Sequence, residues 1–264
     1  MMMNLLKNSD WAFLLDFVSP SFFKVIPPME LVANATALAK RTREPKLYSM
    51  AVLDMKNCLT DVMPDLHLIE GTMGQRGAIP SSAVSSFNHC DAEQKRKVAE
   101  HIVEIYFTQI LSGKMVLLDV RLSRFAVEGS NLYWSPAPLL GLFSEKFLLS
   151  MGNLYRGYYG GNPELMKSAL KDVGLDWAHD VFIAHFGEGD QTEVRFALAH
   201  FVRTFHDVFV RCKAERKSLG GEFVQLGVLL GLMYESLESL GQPVDVRSAF
   251  LRAQASNSIS GSGI

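Results

Sequence analysis

Residues 113–134 read GKMVLLDVRLSRFAVEGSNLYW, and this stretch decides the fold. Gly113-Lys114 stops a helix. Upstream, Asp91 and Gln94 have capping-box spacing and open a helix predicted to run to about Ser112, with Val98, Ile102, Ile105, Tyr106 and Ile110 as its buried face. Downstream, Met115 to Leu118, Phe125 to Val127 and Leu132 to Trp134 are short runs of strand-forming residues. Glu128-Gly129-Ser130 is a natural turn between the last two. Asp119 directly follows the first of these strands, and beyond Leu139 the pattern predicts helices only.

Moving outward from that core, Asn8-Ser9-Asp10 can cap a short helix through Phe17. Pro27 and Pro28 precede a second helical run, Met29 to Arg43, and Pro45 ends it or begins a third, Lys46 to about Leu59. Leu66 to Ile69 suit a short strand closed by Glu70-Gly71. Thr72 to Asn88, rich in Gly, Ser and Ala, predict a loop with at most one turn of helix. Asn162-Pro163 reads as an N-cap and first-turn proline for a helix to about Val173. Asp190 with Glu193 opens another helix, its buried side holding Phe196, Ala199, Val202, Phe205 and Phe209. Gly221 to Leu240 is a long helix closed by Gly241 and Pro243, apolar on nearly every side from Phe223 to Met233 with Gln225 the exception, and so expected to be largely buried. The Ser/Gly-rich end, 256–264, predicts a disordered tail. The fold class is mainly α (α+β): one mostly helical unit with a small central hairpin.

The chain has 264 residues, 48% of them hydrophobic and 20% charged, which excludes a disordered protein. Lys and Arg number 26 against 28 Asp and Glu, so there is no basic surplus to drive generic phosphate binding, and direct contact with nucleic acid is not expected. Three cysteines, Cys58, Cys90 and Cys212, cannot all pair and share no zinc-type spacing, which fits a reducing compartment. Residues 1–11 have no secretory signal pattern.

Candidate chemistry is sparse. His179 and His185 are six apart, as are His200 and His206, whereas a helical metal pair needs four. No metal site is expected. His89-Cys90-Asp91 lies at a helix start, where Asp91 caps and Cys90 is passive. Gly71, Gly74 and Gly77 lack the lysine and helix of a phosphate loop. Gly227 and Gly231 point to close helix packing, and no GxSxG elbow is present.

The order of elements resembles the catalytic segment of kinase-like folds. In those, an Asp after a short strand handles the acceptor hydroxyl, an Asn slightly later binds metal, and the Asp of a DFG triplet after a hairpin binds the other metal. More narrowly, residues 66–175 resemble the second half of the ABC1 (UbiB/AarF) family of atypical kinases. Leu66-His67-Leu68-Ile69-Glu70-Gly71 stands where that family has its MEYVEG-like strand. Leu117 to Val127 falls on its HADPHPGNLLV segment. Gly141-Leu142-Phe143-Ser144-Glu145-Lys146-Phe147 falls on GRLSPEF, and Gly160-Gly161-Asn162-Pro163-Glu164-Leu165 on GDPEAL. Arg43-Glu44-Pro45 echoes RREA. The resemblance implies a protein-kinase-like C-lobe over 66–255, preceded by an N-terminal helical segment, 1–65, with the N-lobe incomplete or absent.

The same correspondence implies a degenerate site. Asp119 keeps the catalytic position, but the metal-binding Asn falls on Arg124 and the DFG triplet on Pro136-Ala137-Pro138. The nucleotide-binding loop and lysine have no counterpart, and Met73-Gly74-Gln75 is misplaced for the family's KxGQ signature. Without metal ligands, phosphoryl transfer loses most of its electrostatic stabilisation. The expectation is therefore a catalytically inactive pseudokinase without catalytic, cofactor-binding or metal-binding residues. It would act as a structural subunit among other protein subunits, with a mitochondrial location and peripheral membrane contact implied by the family alone. Two alternatives stay open: a nucleotide- or lipid-binding regulator of quinone metabolism with residual kinase or ATPase activity, and a helical enzyme of another kind.

Overall fold

In a computed structural model of the chain, the described residues are 44–60, 62–83, 87–112, 115–186, 193–217 and 220–260. The helices expected before residue 44 lie outside them. The architecture is mainly helical with two small sheets.

Pro45 begins α1 (Pro45–Thr60), whose buried stripe is Tyr48, Ala51, Val52, Met55 and Leu59. A proline at the first helical position costs nothing, because its missing N–H would be unpaired there anyway. β1 (Leu66–Leu68) follows. The capping box forms as its spacing demands. The Gln94 amide donates to Asp91 Oδ1 at 2.8 Å and the Asp91 amide to Gln94 Oε1 at 3.2 Å, opening α2 (Ala92–Ser112). Residues 101–110 of α2 are all buried, including Glu104, Thr108 and Gln109, so the helix is covered on every side rather than on one stripe.

Next come β2 (Val116–Leu117), β3 (Phe125–Glu128) and β4 (Asn131–Trp134), with β3 and β4 joined through Gly129 at φ +60°, a conformation that favours glycine. β4 pairs antiparallel with β3 and parallel with β1, placing Leu66 opposite Leu132 and Leu68 opposite Trp134. β5 (Leu140–Gly141) pairs antiparallel with β2. This strand corrects the expectation of helices only beyond Leu139. Two residues are too short to produce an alternation, and the pairing comes from β2.

α3 (Glu145–Tyr159) is capped by Ser144, and α4 (Pro163–Asp172) by Asn162, whose side chain accepts from the Leu165 amide. α5 (His179–Phe186) was not foreseen. α6 (Leu198–Ala214) begins later than the Asp190 signal suggested. Val194 is held in an antiparallel bridge to Val244, and Glu238 of the next helix accepts from the Leu198 amide, so the cap comes from a distant side chain. Consequently the buried stripe of α6 is Phe201, Phe205, Val208 and Cys212, while Ala199 is exposed.

α7 (Gly221–Leu240) has the expected bounds, and Gly241 ends it at φ +66° with its amide on the Leu237 carbonyl. It is long and apolar enough to cross a membrane, yet 83% of its most apolar window is buried among the other elements, which makes it a core helix. Gly227 gives Phe205 of α6 its seat: a Cβ there would stand 2.6 Å from that ring. α8 (Val246–Ser260) is capped by Asp245, which accepts from the Ser248 amide, and it packs on α2, where Arg252 meets the buried Glu104. This helix runs through 256–260, into the segment expected to be a disordered tail; 261–264 lie outside the described residues. α1 contributes to the same apolar cluster as α2 and β1.

Candidate functional site

The polypeptide leaving β2 passes through Leu118, Asp119 and Val120, makes one 3-10 turn (Leu122–Arg124) and enters β3. Asp119 is completely buried. A charge in that position must be paired and fully hydrogen-bonded, and it is. Asp119 Oδ1 accepts from Arg121 Nε at 2.7 Å. Oδ2 accepts from Arg121 Nη2 at 3.0 Å, Arg124 Nε at 2.8 Å and the Ala137 amide at 3.0 Å. The Asp119 carbonyl accepts from the Trp134 indole at 3.0 Å.

Arg124 is buried as well, and its other nitrogens are spent. Nη1 donates to the Gln75 carbonyl at 3.2 Å and Nη2 to the Met73 carbonyl at 2.8 Å. The loop after β1 is thereby clamped over the hairpin entrance. Its glycines are the points of closest approach. A Cβ on Gly71 would lie 2.5 Å from the Pro136 carbonyl oxygen, and one on Gly77 would lie 2.1 Å from that of Glu70. The Gly77 amide donates to Ser135 Oγ at 2.7 Å, and Arg76 donates to the Phe125 carbonyl.

Tyr48 of α1 closes the arrangement. Its hydroxyl donates to the Pro136 carbonyl at 2.7 Å and accepts from the Gly71 amide at 2.9 Å, and burial pushes the phenol up to about 12. From the other side Ser236 of α7 accepts from the Leu122 amide at 2.9 Å and donates to the Val120 carbonyl at 3.0 Å.

The three positions singled out in the sequence, Asp119, Arg124 and Pro136, therefore converge, Pro136 through its carbonyl and through the adjacent Ala137 amide. Six further participants were not foreseen: Tyr48, Arg121, Ser135, Ser236 and the backbone carbonyls of Met73 and Gln75. Those carbonyls carry no side-chain signal, so no motif search finds them. Ser236 shares its helix end with Glu235, Glu238 and Ser239, and nothing in that spacing marks it as the buried one.

Chemically the site is an ion-pair lock. A base for an acceptor hydroxyl needs a carboxylate oxygen within hydrogen-bond reach of it, and both Asp119 oxygens are inside the protein and occupied. No group of three or more His, Cys, Asp or Glu side chains that could hold a metal ion occurs among the described residues. Cys58, Cys90 and Cys212 form no disulfide, and burial raises Cys90 away from a reactive thiolate. His101 is engaged by the Lys97 carbonyl and the Asp65 carboxylate. Scanned against models of protein families and against curated proteins, the sequence matches none.

Proposed function

We propose that the chain is a catalytically inactive, ABC1-like pseudokinase module that serves as a structural subunit of a larger protein assembly, in the mitochondrion if it follows the family it resembles. The observation that carries this reading is the enclosure of Asp119. The residue in the catalytic position is 0% exposed and saturated by Arg121, Arg124 and the Ala137 amide. Where a kinase places metal-binding oxygens, this chain places a guanidinium and a proline-flanked amide. A cation cannot enter beside Arg124 without displacing it, and displacement would strand two buried charges. The strand-turn-strand after Asp119 and the β2–β5 pairing that brackets it support the kinase-like element order. Met50 and Leu53, 58% and 59% exposed and one turn apart on α1, supply apolar surface of the kind a subunit contact uses.

The test is titration calorimetry with MgATP, together with sizing of the native protein from its own cells. The expected result is no saturable heat up to millimolar nucleotide, and elution of the native protein with a large complex. Micromolar MgATP binding that disappears in Asp119→Asn would overturn the pseudokinase reading in favour of a nucleotide-binding regulator. Elution as a free monomer would overturn the subunit reading.

A further inference from the structure

Helix α1 turns Tyr48, Ala51, Val52, Met55 and Leu59 to the core. On the side directly opposite, Lys46, Met50, Leu53, Asn57 and Thr60 are exposed, and they follow one another at alternating steps of four and three residues. That is the spacing by which one helix presents a seam to another. Met50 and Leu53 form its apolar middle. Among the described residues no other two strongly exposed large apolar side chains lie one turn apart on a helix.

The chain itself supplies an occupant. Residues 1–43 precede the described part and join it at Glu44, whose carbonyl accepts the first bond of α1, from the Tyr48 amide at 3.2 Å. Pro45 disfavours a helical conformation at Glu44, so a helix arriving from residues 29–43 stops before it and the chain can reverse there. Antiparallel helices are joined by as few as about two residues. The helix that the sequence predicts over 29–43 carries Leu31, Ala35 and Leu38 at the same steps of four and three, with Val32 and Ala39 beside them.

The register also agrees. Both helices rise about 1.5 Å per residue, so residues equally far from the turn come level. Leu38 and Met50 each lie six residues from Glu44, Ala35 and Leu53 nine, and Leu31 and Asn57 thirteen. The two exposed apolar side chains of α1 thus come level with a leucine and an alanine. The small Ala35 stands where the bulky Leu53 needs room.

We propose that residues 29–43 form a helix that folds back antiparallel on α1 and covers Met50 and Leu53, which makes this face a docking surface for the chain's own preceding segment. A tether this short holds the segment at the face at an effective concentration on the order of millimolar. The inference does not rest on the pseudokinase reading. A partner subunit drawn to the same apolar surface reaches it only by displacing the segment.

The experiment is hydrogen exchange read by mass spectrometry on the full chain, with melting followed by circular dichroism and mass by light scattering. The expected result is a monomer in which the amides of 29–43 exchange about tenfold or more slowly than in an unstructured chain of that sequence. The double variant Met50→Lys, Leu53→Lys abolishes that protection and lowers the melting temperature by about 2–4 °C, while α2 and α7 stay protected. Leu38→Lys does the same from the other side of the contact, whereas Ala33→Lys, on the opposite face of the predicted helix, changes neither. If the double variant fails to fold, Leu38→Lys decides. Unprotected amides over 29–43 in the wild type overturn the proposal, as does protection that survives the double variant or Leu38→Lys. Protection found only in a dimer also overturns it and assigns the face to a second copy.

Discussion

Arg124→Met removes one guanidinium from the Asp119 lock while keeping the length and apolar stem of the side chain. Three bonds go with it: Nε to the Asp119 carboxylate, and the two to the Met73 and Gln75 carbonyls. Stripping the partner from a buried ion pair costs about 3–5 kcal/mol when the remaining charge is left alone. Here Asp119 keeps Arg121 and the Ala137 amide, which lowers the electrostatic share. The loss of charge-assisted bonds to the loop carbonyls, each worth about 1.5–3 kcal/mol at most and less where water can replace them, restores part of it. The expected destabilisation is about 3 kcal/mol, which for a domain of this size lowers the melting temperature by about 6–12 °C. Urea denaturation followed by circular dichroism gives the free energy, and a cycle with Asp119→Asn gives a coupling of at least about 1 kcal/mol. A melting temperature within about 1 °C of wild type, with no coupling in the cycle, would refute the lock and with it the claim that Asp119 is withheld from chemistry.

Two further outcomes follow from the same geometry. Gly77→Ala, and to a similar degree Gly71→Ala, destabilises by about 1–3 kcal/mol because the added methyl meets a backbone oxygen that cannot swing away; Gly74→Ala, with nothing within 4 Å of its added carbon, stays within about 0.5 kcal/mol in the same denaturation assay. At Asp65 burial alone would raise the carboxyl, but hydrogen bonds from His101 and Lys97 overcome it and hold the group down at about 2. Its folded value lies below its unfolded one, so its contribution is complete above about pH 4 and is lost as pH falls towards 2. Acid titration by circular dichroism should show Asp65→Asn less stable than wild type at neutral pH, with the difference closing over that window.

The sequence disclosed elements where one local signal suffices. The Asp91/Gln94 box, Asn162-Pro163, the Gly129 turn and the Gly241 stop each act through neighbours a few residues away, and each forms. It failed where the partner is remote. β5 exists because Leu140 and Gly141 find β2. The start of α6 is set by Val244 and Glu238, which lie 50 and 40 residues from Val194 and Leu198. α8 had a usable signal, Asp245 three residues before Ser248, hidden by the polar Ser/Gly composition that follows it. At the site, the spacing of Asp119, Arg124 and Pro136 along a hairpin was enough to bring them together. What Arg124 does there was not legible, since its partners are carbonyls on a loop some 50 residues upstream.

Three polar residues of α7 show why a largely apolar helix keeps polar groups where it packs. Gln225 accepts from the Leu142 amide just past β5, Glu222 accepts from the Ser144 amide before α3, and Ser236 serves the amide and carbonyl that flank Arg121. Each sits opposite a backbone group that leaves a strand or turn without a ladder partner, the situation in which a buried N–H must be satisfied by a side chain. Both ends of the 119–144 segment are thus fixed to one helix.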